Sequence, residues 1–469
     1  MRATPSTGFA ERQRALALPR PRWDTLALVG VLGLGLALRL IRYADAPGFT
    51  DNADELQFTW AGLGLIKSGD PYTWTYFPGY ASYTQYHAFG TTYPLVHHWL
   101  DHPPLFSYLM GGWVWLLGDR TLDSVTAAQV RIVPIFLSTL TIVLVFLLAR
   151  RLLGWAPALL AAALLATSPG AILLGREVEP EALQAVLLLA GLLLTLRLLE
   201  GDGGRWAAAG LLLCAVAAPL AKVSGVAVGG ICAVALAADG RWRLAASLLG
   251  AVVAGLLLFV VYGALLDWRL FVHVWGLWVG NRSGVMAGYD FIAAMAGVNR
   301  RLRDGWWLLG WIGIGLLGAT GDRRRQLLLV WPPAAYAATM LVLAREQSVE
   351  QYGWYRQIVY PEVYLGAAFL AMEAVRRRSV GLLTLLLVLG GATATEWWLA
   401  GPDYAWVPDA VSLVLLILAV LGPAVLSTWR RRDSELRLLA RGLAALALAL
   451  MLLGNAVESF WLDRIFTRL

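Results

Sequence analysis

The stretch TDNADEL, residues 50–56, places three carboxylates directly after the first long apolar run of the chain. Acidic clusters are rare in this sequence, because 59% of its 469 residues are hydrophobic and only 15% are charged. The mean hydropathy of +0.63 is too high for a water-soluble domain. We therefore predict a membrane protein that is organised around this acidic segment.

Apolar runs of about 18 or more residues, the length of a helix that crosses a bilayer, recur along the chain. The arginines lie mostly between these runs, which is the pattern of cytoplasmic loops under the positive-inside rule. This distribution accounts for the net charge of +7 without a nucleic-acid partner. Both cysteines, Cys214 and Cys232, lie in apolar runs and show no metal-ligand spacing.

The predicted fold class is an all-α polytopic membrane protein of about 13 transmembrane helices with a large first outer loop that contains interfacial helices. The loop comprises residues 43–128, and its short aromatic run at 106–117 is typical of a helix at the headgroup level. The predicted spans are 24–42, 129–149, 155–174, 181–199, 206–221, 223–238, 243–266, 305–320, 326–344, 357–375, 379–399, 406–428 and 436–456.

With these spans, the later arginine clusters all lie on the cytoplasmic side. The N-terminal tail, residues 1–23, is then cytoplasmic, and the acidic stretch lies on the outer face. A transmembrane module at 24–375 contains every motif described below. The remaining residues, 376–469, form C-terminal transmembrane helices.

Asp54 and Glu55 would occupy the first turn of a helix that begins near Asn52, where the helix dipole favours anions. They are either an N-terminal cap of an interfacial helix or carboxylates that face a catalytic cavity. Asp51 and Asp54 are three residues apart and could also hold a divalent cation.

Charged residues in other segments would lie on the same outer face. His102 precedes two prolines and is either a solvated interfacial histidine or a ligand of an anionic group. Arg176 and Glu181 flank a tight turn that is either an acidic helix N-terminus or part of a site. Lys222 and Arg356 either extend towards the membrane surface or line a substrate path, where they would bind a lipid phosphate.

The order of these motifs resembles the polyprenyl-phosphate-sugar-dependent glycosyltransferases of the GT-C fold. The similar group contains lipid A aminoarabinose transferase and the protein O-mannosyltransferases. The resemblance covers about residues 24–375. Its motifs are the Asp54-Glu55 pair, Ser68-Gly69-Asp70, Pro103-Pro104-Leu105, Arg176 with Pro180-Glu181, Leu220-Ala221-Lys222, and Arg356 before Tyr360-Pro361.

The resemblance implies that Asp54 is the catalytic base, with Glu55 beside it and Glu181 as the second acidic residue. The family usually has aspartate at the position of Glu181. His102 stands where the aminoarabinose transferase has a phosphate-contacting lysine, and Gln57 stands where it has an arginine. The donor phosphate would then be bound by the remaining cations, with His102 as a weaker ligand: Lys222, Arg356, Arg176 or the loop that carries Arg282 and Arg300.

The predicted function is inverting transfer of a sugar from a polyprenyl-phosphate donor to an acceptor hydroxyl, with Asp54 as general base. The expected partners are this donor, membrane lipids, and a lipid-linked, small-molecule or protein acceptor. The expected location is a bacterial or archaeal plasma membrane, with the active site on the outer face. No cofactor is certain, and a divalent cation at Asp51 and Asp54 stays open. The alternative is a transporter or flippase of lipid-linked or small anionic substrates.

Overall fold

The computed structural model describes residues 21–49, 54–280, 306–343, 354–377 and 433–460, together with Leu382 and Leu386. Most of these residues are helical. The helices are α1 (Pro21–Leu40), α2 (Asp54–Ser68), α3 (Pro104–Leu116), α4 (Ala127–Val130), α5 (Ile132–Leu153), α6 (Trp155–Thr167), α7 (Pro169–Leu174), α8 (Pro180–Glu200), α9 (Gly204–Ala221), α10 (Val226–Ala238), α11 (Trp242–Gly280), α12 (Trp306–Thr320), α13 (Trp331–Leu343), α14 (Tyr360–Arg377) and α15 (Asp433–Phe460).

Five helical segments among the described residues are long and apolar enough to cross a membrane. They are Trp23–Leu40, Ala127–Leu153, Pro180–Glu200, Gly204–Ala221 and Trp242–Val279. Three shorter apolar helices accompany them: Trp155–Thr167, Val223–Ala238 and Leu309–Thr320. The predicted class of multi-pass helical membrane protein is therefore confirmed, whereas the number of 13 spans stays a prediction.

Two predicted spans differ from the structure in a way that proline and capping chemistry explains. The predicted span 155–174 is two helices, because α6 ends at Thr167 and Pro169 starts α7 without a backbone donor. The predicted span 243–266 continues to Gly280 as α11, with a break at Asp267. The predicted spans 379–399 and 406–428 lie outside the described helices.

The loop at 43–128 contains the helices α2 and α3 and a small antiparallel sheet. The sequence predicts interfacial helices in this loop but not the sheet. Its strands are β1 (Thr73–Trp74), β2 (Thr84–Ala88) and β3 (Thr91–Val96), in the order β1-β3-β2. In the β2–β3 hairpin, Tyr86 is opposite Tyr93. Helices α2 and α3 pack against this sheet through a shared core that includes Phe58, Trp60 and Phe106. At 13 residues, α3 is only about 20 Å long, too short to span a bilayer.

Helices α2 and α3 cross where two glycines meet. A Cβ atom on Gly62 would lie 1.8 Å from the carbonyl oxygen of Ser107, and one on Gly111 would lie 2.1 Å from the carbonyl carbon of Gly62. The two backbones are thus closer than any side chain would allow. Gly112, one residue further along α3, has no such neighbour, since its nearest atom would be at 3.9 Å.

A buried ion pair joins α2 to the start of α5. The Arg131 guanidinium donates to both carboxylate oxygens of Glu55, at 2.8 and 2.7 Å, and both side chains are fully buried. It also donates to the carbonyl oxygens of Tyr43 and Pro47, at 2.8 and 2.7 Å. Arg131 therefore holds both Glu55 and the residues just before the acidic segment against the helical bundle.

A second buried arginine caps the first helix. Arg176, in the turn between α7 and α8, donates to the carbonyl oxygens of Leu38 and Ile41 at 2.7 and 2.8 Å. It also reaches those of Arg39 and Ala46, at 3.1 and 3.2 Å. The last carbonyls of a helix have no partner within the helix, so Arg176 satisfies the end of α1.

We predict that Gly62→Ala and Gly111→Ala destabilise the protein, whereas Gly112→Ala does not. A methyl group at either crossing glycine forces α2 and α3 apart, at a cost of about 1–3 kcal/mol. The same methyl group at Gly112 makes an ordinary van der Waals contact with Ile66 and favours the helix. Thermal unfolding of the purified protein in detergent checks this, and equal midpoints for Gly111→Ala and Gly112→Ala would contradict it.

We also predict that Arg131→Met lowers the stability far more than Arg151→Met. The first change leaves the Glu55 carboxylate buried without its cation, at a cost of about 3–5 kcal/mol. Arg151 is a matched control, because it pairs with Glu200 at the same 2.7 Å but is solvent-exposed. The double variant Arg131→Met/Glu55→Gln should recover part of the loss. Similar unfolding midpoints for the two single variants would refute the structural role of this pair.

Candidate active site

The site is built around a break between α9 and α10. Pro219 lies in the last turn of α9, and Lys222 has extended backbone angles, φ −160° and ψ 144°. The Gln184 side chain on α8 donates to the Lys222 carbonyl at 2.9 Å and accepts from the Ser224 hydroxyl at 3.2 Å. A buried polar side chain thus satisfies the interrupted backbone, as a break inside a bundle requires.

The ammonium group of Lys222 donates to Glu181 Oε1 and lies 4.5 Å from the centre of the Tyr355 ring. Glu181 is in the first turn of α8, one turn before Gln184, so both side chains point to the same face. Glu181 and Lys222 are both buried. Their opposite charges compensate each other, which is how a buried lysine and a buried carboxylate are tolerated.

A second carboxylate, Asp101, lies in a network of three donors. Oδ2 accepts from the Thr75 hydroxyl and from the Trp99 indole nitrogen, each at 2.9 Å, and Oδ1 accepts from the Tyr80 hydroxyl at 2.6 Å. Burial and the neighbouring Asp101 raise the pKa of Tyr80, so that its hydroxyl stays protonated. Such donors stabilise the charged form of the carboxylate and fix its position.

His102, the next residue, is surrounded by aromatic rings. Its ring centre lies 5.2 Å from that of Phe58, 5.4 Å from Trp99 and 5.8 Å from Trp278. Phe58 is on α2, and Trp278 is near the end of α11. The histidine therefore lies where the loop at 43–128 meets the rest of the bundle.

These side chains border one cavity of about 180 Å³. Its lining is mostly apolar and includes Asp101, His102, Lys222, Ser224, Trp278 and Tyr355. An apolar cavity with a few convergent polar groups is the usual form of a small-molecule site. The sequence segments that form it come from the first loop, from the α9–α10 break, from α11 and from the residues before α14.

Asp54, the first residue of α2, interacts electrostatically with this group. Burial raises the pKa of Asp54 to about 6; Lys222 opposes the shift, whereas Glu181 and Asp101 add to it. A carboxylate with such a pKa is ionised at neutral pH and is a stronger base than an ordinary aspartate. Asp54 is therefore the carboxylate whose pKa burial and this group of charges shift towards neutrality.

The structure brings together four of the predicted site residues: Asp54, His102, Glu181 and Lys222. Three others have different partners. The Glu55 carboxylate is taken up by Arg131, Arg176 caps α1, and Arg356 is buried with its guanidinium 5.6 Å from the Trp307 ring centre.

The position that holds an arginine in the aminoarabinose transferase is also occupied differently. Gln57 is buried and donates to the Trp74 carbonyl at 2.9 Å, which ties α2 to β1. Asp51 lies outside the described residues, so the predicted cation site at Asp51 and Asp54 stays a prediction. Within the described ranges, no group of three or more His, Cys, Asp or Glu side chains is arranged for a metal ion.

Sequence reasoning missed the roles of Asp101, Arg131 and Trp278. Arg131 carried a usable signal, because it falls inside the predicted span 129–149, where an arginine needs a buried partner. Asp101 directly precedes His102, but nothing in its neighbourhood marks it as buried. Trp278 lies far from the other site residues in the chain, and only the bend of α11 brings it to them.

Comparisons with known proteins show what the chain is similar to. Residues 101–268 match the family model described as dolichyl-phosphate-mannose-protein mannosyltransferase, and this range contains Asp101, His102, Glu181 and Lys222. A comparison with curated protein sequences found no match.

Two solved structures illustrate the similarity. ArnT from Cupriavidus metallidurans, bound to undecaprenyl phosphate, is 17% identical with a TM-score of 0.57, over 96% of this chain and 79% of ArnT. The arabinosyltransferase EmbB from Mycobacterium smegmatis is 15% identical with a TM-score of 0.56, over 95% of this chain and 42% of EmbB. The chain is therefore a multi-pass membrane protein with the GT-C glycosyltransferase fold.

Proposed function

We propose that this protein transfers a sugar from a polyprenyl-phosphate donor to a hydroxyl group of an acceptor, with inversion at the anomeric carbon. One observation carries the proposal: Asp54 interacts electrostatically with Asp101, Glu181 and Lys222, and Asp101 and Lys222 line one cavity of a GT-C fold. A base, a cation and a pocket of small-molecule size are the parts that such a transfer needs.

The donor class is supported by the charge and the surroundings of the cavity. Lys222 and His102 line it and are the candidates that contact a phosphate, in place of the predicted Arg176 and Arg356. The neighbouring helices α9 and α11 are apolar enough to span a bilayer, so a polyprenyl tail could stay in lipid while the headgroup enters. ArnT, which shares the fold, was solved with undecaprenyl phosphate bound.

In the proposed reaction, Asp54 accepts the proton of the acceptor hydroxyl. The hydroxyl oxygen attacks the anomeric carbon, and the bond from this carbon to the phosphate oxygen breaks. The polyprenyl phosphate leaves with the electron pair, and Lys222 neutralises part of the charge that develops on it. General-base assistance contributes about 10²–10⁴-fold to the rate, and electrostatic stabilisation of the leaving group adds to it.

The reaction is proposed to occur on the outer face of a plasma membrane. Under the positive-inside rule, the arginine clusters favour a position of the α9–α10 break and the loop at 43–128 on the side opposite to the cytoplasm. The acceptor is a lipid-linked molecule, a small molecule or a protein, and the sugar is a hexose or a pentose. Asp51, if it comes close to Asp54, would let a divalent cation share the site.

We predict that Asp54→Asn lowers the rate of sugar transfer by about 10²-fold or more without changing the midpoint temperature of thermal unfolding. The amide has nearly the same shape but cannot accept the proton. Asp123→Asn in the same loop is the matched control, since Asp123 is exposed and bonds only to Tyr86 among its described partners. The measurement is transfer from radiolabelled polyprenyl-phosphate sugar by purified protein in detergent.

Unchanged transfer by Asp54→Asn would remove Asp54 from the mechanism, and uptake by proteoliposomes without covalent transfer would favour a transporter.

We further predict a pH dependence with an acidic limb near pH 6. The base must be ionised, so the rate falls as the pH drops through the raised pKa of Asp54. The rate should level off above this pH. Initial rates at donor concentrations well below KM, measured from about pH 5 to about pH 8, check this, because kcat/KM reports the pKa values of the free protein. A limb near the ordinary aspartate value of about 4 would contradict the assigned environment of Asp54.

A further inference from the structure

The helix α11 bends before it reaches the cavity. Asp267 has non-helical backbone angles, φ −160° and ψ 102°, and its side chain accepts the backbone N–H of Leu270 at 2.9 Å. It thus acts as an N-terminal cap for the second part of the helix. The Phe271 ring packs onto Gly263, where a Cβ atom would lie 2.2 Å from it. The bend sends residues 268–280 towards the loop at 43–128.

One face of this second part carries an aromatic row, defined here as Trp268, Phe271, Trp275 and Trp278. The spacing of three, four and three residues puts all four rings on one side of a helix. Neighbouring ring centres are 6.1, 6.4 and 6.5 Å apart along the row. The row begins at an exposed tryptophan and ends at the cavity, because Trp275 and Trp278 line it.

The cavity end of the row is fixed from two sides. The Trp275 indole nitrogen donates to the Leu100 carbonyl at 2.9 Å. The Trp278 ring is stacked on Phe77, with ring centres 5.1 Å apart and planes 16° apart. The Trp278 ring is therefore fixed in position at the cavity, where it lies next to His102 and close to the Asp101 carboxylate.

We propose that Trp278, supported by Phe77, is the surface on which the ring of the donor sugar stacks, and that Asp101 and Lys222 contact its polar groups. This inference rests on the proposed function and adds the sugar subsite to it. A sugar ring has an apolar face of C–H groups, which suits the electron-rich face of an indole, and a rim of hydroxyls, which suits charged side chains. Residues of both kinds line this one cavity.

The size and polarity of the cavity favour a sugar ring over the polyprenyl tail. A cavity of about 180 Å³ holds several water molecules and is on the scale of one monosaccharide ring. An isoprenoid chain needs a longer and wholly apolar groove, whereas this cavity is lined in part by the charged side chains of Asp101 and Lys222. Trp278 is therefore a binding residue for the sugar, distinct from the base Asp54.

The test compares a lipid with and without its sugar. The binding of undecaprenyl phosphate, mannosyl undecaprenyl phosphate and arabinosyl undecaprenyl phosphate is measured on the detergent-purified full chain. We expect Trp278→Ala to weaken binding of a glycosylated lipid by about tenfold, the scale of one aromatic contact, with less than a twofold change for the bare lipid. Trp278→Phe should retain most of the affinity, because it keeps an aromatic face.

Trp268→Ala is the matched control, since it removes a tryptophan of the same row that does not line the cavity; it should leave binding of all three lipids unchanged. The proposal is wrong if Trp278→Ala weakens the bare and glycosylated lipids equally, which would indicate a role in folding or in holding the tail. It is also wrong if the wild type binds bare and glycosylated lipids with the same affinity.

The binding measurement separates this inference from the proposed reaction. Sugar-dependent binding that is lost in Trp278→Ala supports the subsite even if no sugar is transferred, in which case the proposed reaction fails. If Trp278→Ala still transfers sugar and still binds the glycosylated lipids more tightly than the bare lipid, the reaction is supported and the subsite is overturned.

Discussion

A charged group that leaves water must find a partner, and this requirement determines how the acidic segment meets the helical bundle. Arg131 takes up Glu55 and two backbone carbonyls, and Arg176 takes up the free carbonyls at the end of α1. Once these two arginines are satisfied, the start of α2 has a fixed place. Asp54, one residue before Glu55, is then held beside the Lys222–Glu181 pair.

The same requirement accounts for the form of the cavity. The break at Lys222 exposes a backbone carbonyl that the Gln184 side chain satisfies, Ser224 donates to Gln184 in turn, and the lysine itself is neutralised by Glu181. The carboxylates of Asp101 and Glu181 then act on Asp54 through space and help to raise its pKa. A structural solution for buried charges thus also leaves a carboxylate with a pKa of about 6 near a buried cation.

The aromatic residues have a complementary role. They surround His102 and bring the second part of α11 against the loop at 43–128. Because rings are rigid and their contacts involve few rotatable bonds, they hold a pocket open at a small entropic cost. The small sheet in the loop contributes in the same way, since Trp74 of β1 and Tyr93 of β3 pack in the core that supports α2 and α3.

The predictions from the sequence were most accurate where one side chain has one plausible environment. The arginine clusters and apolar runs indicated the membrane class, and the motif order indicated the GT-C fold, both of which are confirmed. The structure brings Asp54, Glu181, His102 and Lys222 near one another, and their roles stay predictions. Glu55, Arg176 and Arg356 contact other parts of the fold, because a charge beside a predicted site can equally well be taken up by a structural contact.

The sequence by itself therefore determined that this protein lies in a membrane, which class of fold it has, and which kinds of charged residue lie near its candidate site. Hydropathy and charge are properties of the composition, and they act in the same way wherever each residue ends up. Tertiary structure alone decided which carboxylate meets which cation, because Glu55 and Arg131 are 76 residues apart and Glu181 and Lys222 are 41 apart. It also decided that Trp278 reaches the cavity. The bend of α11 at Asp267 directs Trp278 there, and Phe77, from a distant segment of the chain, packs against it.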